Sequence, residues 1–198
     1  MIIDESILLE HGATMENYFA KEIIFRKGGY PQYYFQISDG TVELNNYHSD
    51  GKEFTLNILT KGQSIGESLL FGENNYPMNA VAKSDCRIIK LTKSKFHSLL
   101  VENRDVVLKL LEYLSDRLFY KYIMLFNNSA NEPVAKIRAL MEYFKKSAFV
   151  KGAFSYHLGL TRQQIANLTG LRVETVIRTL KKMEKDNLIR LRERKIFC

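Results

Sequence analysis

Residues 161–186 read TRQQIANLTGLRVETVIRTLKKMEKD. Thr161 followed three residues later by Gln164 is a capping box: the hydroxyl accepts from the backbone of the third residue, whose side chain reaches back to the cap. A short helix through Leu168 follows. Thr169-Gly170-Leu171 then turns the chain, with Gly170 supplying a left-handed conformation. A second helix is predicted from Val173 to Asp186. Ile165, Leu171, Val176 and Leu180 form its apolar side, and Ala166 is small where the two helices must approach. Two helices joined in this way form a helix-turn-helix, whose second helix enters the DNA major groove.

The opposite side of the second helix carries the chemistry. Glu174 and Arg178 are four residues apart and project together. Arginine can bond guanine O6 and N7 at once, and glutamate can accept from cytosine N4. The alternative is a surface ion pair worth ~0.3–0.5 kcal/mol. The setting favours base contact, and Val173 and Ile177 complete the candidate set. Thr161, Arg162 and Gln163 begin the first helix, where side chains and free N–H groups meet phosphate. Arg172, Lys181 and Lys182 join them as candidate phosphate contacts, with Lys185 extending the basic track. Leu188–Leu191 and Lys195–Phe197 read as two short strands around a charged turn, a wing.

Charge distribution agrees. The chain of 198 residues has a net charge of +7. Residues 128–198 hold 15 Lys/Arg against 6 Asp/Glu, whereas residues 1–127 hold 14 against 16. The positive excess therefore lies in the last third, which points to a nucleic-acid or membrane partner for that part. No stretch approaches the ~18–20 apolar residues of a membrane span. Met1–Glu5 has no basic region before an apolar run, so no signal peptide is expected and a cytoplasmic location is. Cys86 and Cys198 are isolated thiols, which favours a buried side chain and an incidental chain end over a redox role. His11, His48, His97 and His157 are scattered singly and predict no metal site. There is no nucleophile elbow, Walker loop, zinc spacing or pair of catalytic acids, so an enzyme is not expected.

The first half is β-rich from about residue 20 to 92. Tyr33–Ile37 is aromatic and β-branched, Ser38-Asp39-Gly40 turns, and Thr41–Leu44 alternates. His48–Gly51 turns again before Phe54–Leu59. Val81-Ala82 and Cys86–Leu91 supply later strands. Short strands at regular spacing predict an antiparallel sandwich or roll. Gly28-Gly29 reads as a hairpin turn.

From Thr92 the period becomes helical. Thr92 caps a short helix to Leu100, and Asp105–Asn127 is one long helix without Gly or Pro. Leu111, Leu114, Leu118 and Leu125 form a heptad seam, with Lys121 at the position that breaks it. Phe119, Ile123 and Phe126 lie on another face. One apolar face suits a partner subunit and the other the helix's own roll, so a parallel dimer is favoured over a helix packed only on its own domain. A polar stretch, 127–131, makes a hinge. Asn131 caps a further helix with Pro133 in its first turn, which buries Val134, Ile137, Leu140, Met141 and Phe144.

Order and residues together resemble the Crp/Fnr family of bacterial transcription regulators over nearly the whole chain. Tyr33–Leu44 (YYFQISDGTVEL) resembles its strand-turn-strand, Gly66–Phe71 (GESLLF) the start of its nucleotide-binding cassette, and Leu160–Leu180 its helix-turn-helix. The implied fold is α+β: an N-terminal antiparallel, jelly-roll-like β-roll, a long dimerisation helix (about 102–127) and a C-terminal winged helix-turn-helix. The implied domains are 1–128 and 129–198. The resemblance implies a homodimer bound to double-stranded DNA, with RNA polymerase as a frequent further partner and a small-molecule effector in the roll. Gly66, Glu67, Ser68, Pro77, Met78 and Asn79 are the candidate effector pocket.

Departures from the family pattern refine this. Cyclic-AMP-binding members have an Arg-Ser pair after the Gly-Glu, but Tyr76-Pro77-Met78-Asn79 occupies that region, and no Lys or Arg occurs from Gly72 to Ala82. A buried phosphate without a cation is poorly compensated, so tight cyclic AMP binding is not expected and Glu67 reads as a structural acid. The oxygen-sensing branch has an N-terminal cysteine cluster. This chain has no cysteine before Cys86, so an iron–sulfur cluster is not expected. Val173 stands where the cyclic-AMP branch has arginine before the glutamate. That resembles the Fnr branch and implies an inverted repeat of TTGA-like half-sites. A ligand-binding module that acts through protein contacts, its DNA head decayed, is the open alternative.

Overall fold

The computed structural model describes residues 2–47, 49–51, 53–129, 132–148, 150–193 and 195–198. The chain divides into two compact units, Met1–Asp116 and Arg117–Cys198. His48 of the second predicted turn, and Ala130 and Asn131 of the predicted hinge and cap, lie outside the described residues.

The first unit opens with α1 (Glu5–Glu10) and β1 (Thr14–Tyr18), continues through β2 (Ile23–Phe25), β3 (Tyr33–Asp39), β4 (Thr41–Tyr47), β5 (Glu53–Thr60) and β6 (Ser64–Ile65), passes a 3₁₀ turn (Glu67–Phe71), and adds β7 (Asn79–Ala82) and β8 (Cys86–Thr92). Helices α2 (Lys93–Glu102) and α3 (Arg104–Ser129) follow. The strands form two antiparallel sheets, ordered β1-β8-β3-β6 and β2-β7-β4-β5. This is the expected β-roll, with β1, β2 and β6 added to the five strands named from the sequence.

The run YYFQIS in β3 does not alternate because its sheet is covered on both faces. Phe35 and Ile37 join Phe25, Val42, Leu44, Leu59 and Ile88 between the sheets. Tyr34 faces the other way, among Ile3, Leu8, Leu91, Phe96, Leu99, Val106 and Leu110, and its ring stacks on Phe96 at 4.5 Å. Gln36 shares that face, fully buried. Its amide donates to the Ile3 carbonyl and its oxygen accepts from the Ile3 N–H and the Tyr34 hydroxyl. One glutamine thus satisfies the backbone of the N-terminal segment, as burial requires.

Three local expectations change. Gly28-Gly29 is no hairpin turn, because β2 and β3 belong to different sheets. Thr92 holds the cap position of α2, but its side chain makes no cap hydrogen bond. The Lys93 N–H goes to the Gln32 carbonyl instead. On α3, the side buried in the first unit is Val106 and Leu110, with Tyr113 and Leu114 half-buried beside them. Phe119 and Phe126, expected on a roll-facing side, are exposed. At ~100° per residue they lie far around the helix from Val106 and Leu110.

The second unit takes the end of α3, then α4 (Pro133–Ser147), β9 (His157–Leu158), α5 (Arg162–Thr169), α6 (Val173–Lys185), β10 (Arg190–Arg192) and β11 (Lys195–Phe197). Glu132 occupies the cap position of α4. Ile137, Leu140 and Met141 of α4 are buried, as are Tyr120 and Met124 of α3. Tyr120 stacks on Tyr143 at 3.8 Å.

Candidate nucleic-acid interface

The capping box is formed in full. Thr161 Oγ1 accepts from the Gln164 N–H at 3.1 Å, and Gln164 Oε1 accepts from the Thr161 N–H at 2.8 Å. At the far end of α5, Thr169 Oγ1 donates to the Ile165 carbonyl at 2.6 Å, and Gly170 takes φ +68°. This turn hands the chain to α6, which is strongly amphipathic. Val176, Thr179, Leu180 and Met183 are buried, and Ala166 of α5 is buried where the helices meet. Leu171 is half-buried.

The packed side of α6 determines which residues remain outside. Glu174, Ile177, Arg178, Lys181, Lys182 and Lys185 are all exposed, and Val173 is half-buried at the first turn. The ion pairs found among the described residues are His11–Glu102, Lys83–Glu43 and Lys90–Glu16. Glu174 and Arg178 are therefore not paired with each other, and both side chains are available to a ligand. Glu174 in the first turn and Lys182 and Lys185 in the last also suit the helix dipole.

Thr161, Gln163 and Arg172 are exposed, and Arg162 is half-buried. Gln163 Nε2 donates to Asn167 Oδ1 at 2.8 Å, which fixes the glutamine side chain at the start of α5. Sequence reasoning missed Asn167, a buried polar residue inside an apolar helix. It also missed β9, which makes the wing a three-stranded sheet of order β10-β11-β9. The Leu191 N–H donates to Glu184 Oε1 at 3.0 Å, tying the wing to α6, and Arg190 lies over the Phe154 ring at 4.5 Å.

The sequence matches the cyclic nucleotide-binding domain family over residues 15–103 and the Crp-like helix-turn-helix domain family over residues 137–198. The chain belongs to the Crp/Fnr family. It is a transcription regulator with a helix-turn-helix DNA-binding domain, a family of regulators rather than enzymes. The cAMP-activated global transcriptional regulator CRP of Salmonella typhimurium is 28% identical over 177 residues, 88% of this chain and 84% of that one. The anaerobic regulatory protein of Bacillus subtilis is 26% identical, over 94% of this chain and 79% of its own. In fold, this Crp/Fnr regulator is similar to the c-di-GMP responsive global regulator CLP of Xanthomonas campestris, with a TM-score of 0.78 at 19% identity over 98% of both chains.

Two further sets of residues matter to a Crp/Fnr regulator. In the cassette, Gly66 is left-handed at φ +70° and Glu67 is buried, while Ser68 and Pro77 are exposed. Met78 is half-buried against the core between the sheets. Asn79 Oδ1 accepts from the Lys27 N–H and its amide donates to Asn45 Oδ1. On α3, Leu111, Leu118, Lys121 and Leu125 are exposed, whereas Leu114 is half-buried against the first unit's core. Leu108 and Tyr122 are exposed as well. No helix among the described residues is long and apolar enough to cross a membrane.

Proposed function

We propose that this regulator works as a homodimer, reads an inverted repeat of TTGA-like half-sites through α6, and does so without cyclic AMP. The observation that carries the reading is the division of α6. Its apolar side is fully used in packing, and Glu174, Ile177 and Arg178 stand exposed and unpaired beside three exposed lysines. Arg178 suits guanine, Glu174 suits cytosine, and Val173 suits a thymine methyl group. Thr161, Arg162, Gln163, Arg172, Lys181 and Lys182 supply phosphate contacts.

The exposed apolar side of α3 supports the dimer. Leu108, Leu111, Ser115, Leu118, Tyr122 and Leu125 recur at spacings of three and four, and all are exposed. This is a heptad seam. It keeps Leu111, Leu118 and Leu125 of the predicted set, but Ser115 and Tyr122 replace Leu114 and Lys121 on it. Two copies joined along this seam present two recognition helices, so a two-fold site follows from two-fold protein symmetry. Cyclic AMP independence is supported by the absence of any Lys or Arg from Gly72 to Ala82.

Selection from random duplex DNA tests the reading. The expected product is a two-fold repeat with a G·C pair in each half-site. Enrichment without such a repeat would refute it, and no enrichment at all would favour a module that acts through protein contacts. Isothermal titration showing micromolar or tighter cyclic AMP binding would refute the ligand independence.

A further inference from the structure

The stretch between the 3₁₀ turn and β7 runs along the surface. Gly72–Asn75 and Pro77 are exposed, yet Tyr76 between them is only 4% exposed. Its ring stacks on Phe25 with centroids 3.7 Å apart and planes 10° from parallel. Both sides of its backbone are tied down: the Tyr76 N–H donates to the Gly29 carbonyl at 2.9 Å, and its carbonyl accepts from the Gly28 N–H at 2.8 Å. The Gly28-Gly29 pair is thus the anchor of this loop.

The ring lies against the glycine that opens the cassette. A Cβ on Gly66 would sit 3.0 Å from Tyr76 Cε1 and 3.3 Å from Phe25 Cζ. The phenol also lies in the field of Glu67. Burial first, and the Glu67 charge second, push its pKa up to about 12. Tyr76 therefore stays neutral at all ordinary pH values. An aromatic ring with a neutral hydroxyl fills the space beside Gly66 and Glu67.

We propose that Tyr76 is a built-in plug of the cassette, an internal aromatic ligand that holds the roll closed and supports DNA binding without a nucleotide. The chemical class of any outside occupant follows: a neutral, planar phenol, not a phosphate ester. The plug is linked to α3 by neighbouring side chains. The hydroxyl of Tyr113, on α3, reaches the Ser64 carbonyl at 3.5 Å. Ser64 lies two residues before Gly66, against which the Tyr76 ring packs, so a shift of Tyr76 has a short route to α3.

This inference rests on the proposed DNA-binding reading, and its test has readouts that need no DNA. A Tyr76→Ala substitution leaves a ring-shaped space between Phe25 and Gly66, and a dry apolar cavity of that kind accepts a small aromatic molecule. The variant is expected to melt about 10 °C below wild type. Millimolar p-cresol should restore at least half of that loss and should not shift the wild-type transition. On its selected operator, Tyr76→Ala is expected to bind at least tenfold more weakly, with recovery in p-cresol, whereas wild type binds equally with and without cyclic AMP. Tyr76→Phe keeps the ring and should match wild type in both assays. Tyr76→Leu, a milder truncation, should follow the alanine pattern at smaller amplitude and covers the case in which Tyr76→Ala does not fold. A melting loss that p-cresol does not reverse overturns the plug, as does unchanged operator affinity in the truncated variants. Wild type that binds no DNA refutes the DNA-binding reading instead, and leaves the melting results to judge the plug by themselves.

Discussion

Replacing Arg178 with alanine separates base reading from simple charge attraction. The side chain is exposed and makes no ion pair with Glu174, so its removal breaks no described contact of the free protein. Folding stability should stay within about 0.5 kcal/mol of wild type. A bidentate arginine–guanine pair contributes ~1–3 kcal/mol of discrimination. In a dimer on a two-fold site the loss occurs twice, at well-separated positions where effects add, giving ~2–6 kcal/mol. The operator should therefore bind from about thirtyfold to on the order of ten-thousandfold more weakly, while an unrelated duplex loses little. Lys181→Ala is the matching control. Loss of a phosphate contact should weaken both duplexes alike and flatten the slope of log K against log salt by about 0.9 for each contact removed. Fluorescence anisotropy on both duplexes, across a salt series, measures all of these quantities. If Arg178→Ala weakened operator and unrelated duplex by the same factor, with the salt signature of Lys181→Ala, Arg178 would be a phosphate ligand and the assigned direction of α6 would be wrong.

Leu118→Asp places a charge in the middle of the exposed seam and should shift sedimentation from dimer to monomer at micromolar concentration. A dimer that survives it would show that the subunits join elsewhere. Gly40→Ala should destabilise the roll by ~2 kcal/mol or more, since φ is +97° and the new Cβ would meet the Asp85 carbonyl oxygen at 2.5 Å and the Cys86 Sγ at 2.6 Å. Unchanged thermal melting would refute that placement. Glu16 tests pH linkage. Burial alone would raise its pKa, but hydrogen bonds from Tyr18 and Lys90 outweigh it and hold the carboxyl below 4.5. A depressed folded pKa gives stability that is present above the unfolded value and is lost as pH falls through the folded one. Glu16→Gln should therefore narrow its stability deficit as pH drops from 5 to 3, by less than ~1 kcal/mol because the pair is partly exposed. A deficit constant over that range would argue against the linkage.

The features legible in the sequence were those specified by nearby residues. The capping box needs only Thr161 and Gln164, and the turn needs only Gly170, so α5 and α6 stand where the pattern placed them. The apolar spacing of α6 likewise determines its outer face. The β-strands from Tyr33 to Leu91 were also readable, because turn residues separate them. Pairing was not readable: Gly28-Gly29 looks like a hairpin turn until β2 and β3 are seen in different sheets. The seam on α3 fell between these cases. Its period was visible, but periodicity alone cannot tell which of two neighbouring stripes faces a partner. The burial of Val106 and Leu110 identifies the stripe packed in the first unit, and Leu114 is half-buried beside it while Ser115 and Tyr122 are exposed.

The effector half of the problem depends on this last kind of information. A missing arginine in the 72–82 segment is a local fact, and it argues only against a phosphate. The proposed plug is read from the packing of Tyr76 on Phe25, remote in sequence and adjacent in the fold, and against Gly66. An aromatic residue in a polar loop gives no sign of this by itself, since surface tyrosines are common. The sign comes from the combination of an exposed loop, a buried ring within it, and a backbone held on both sides by Gly28 and Gly29. The segment without Lys or Arg, 72–82, also carries Tyr76. The missing cation and the proposed internal plug thus fall in that one segment, and a Tyr76 truncation tests the plug.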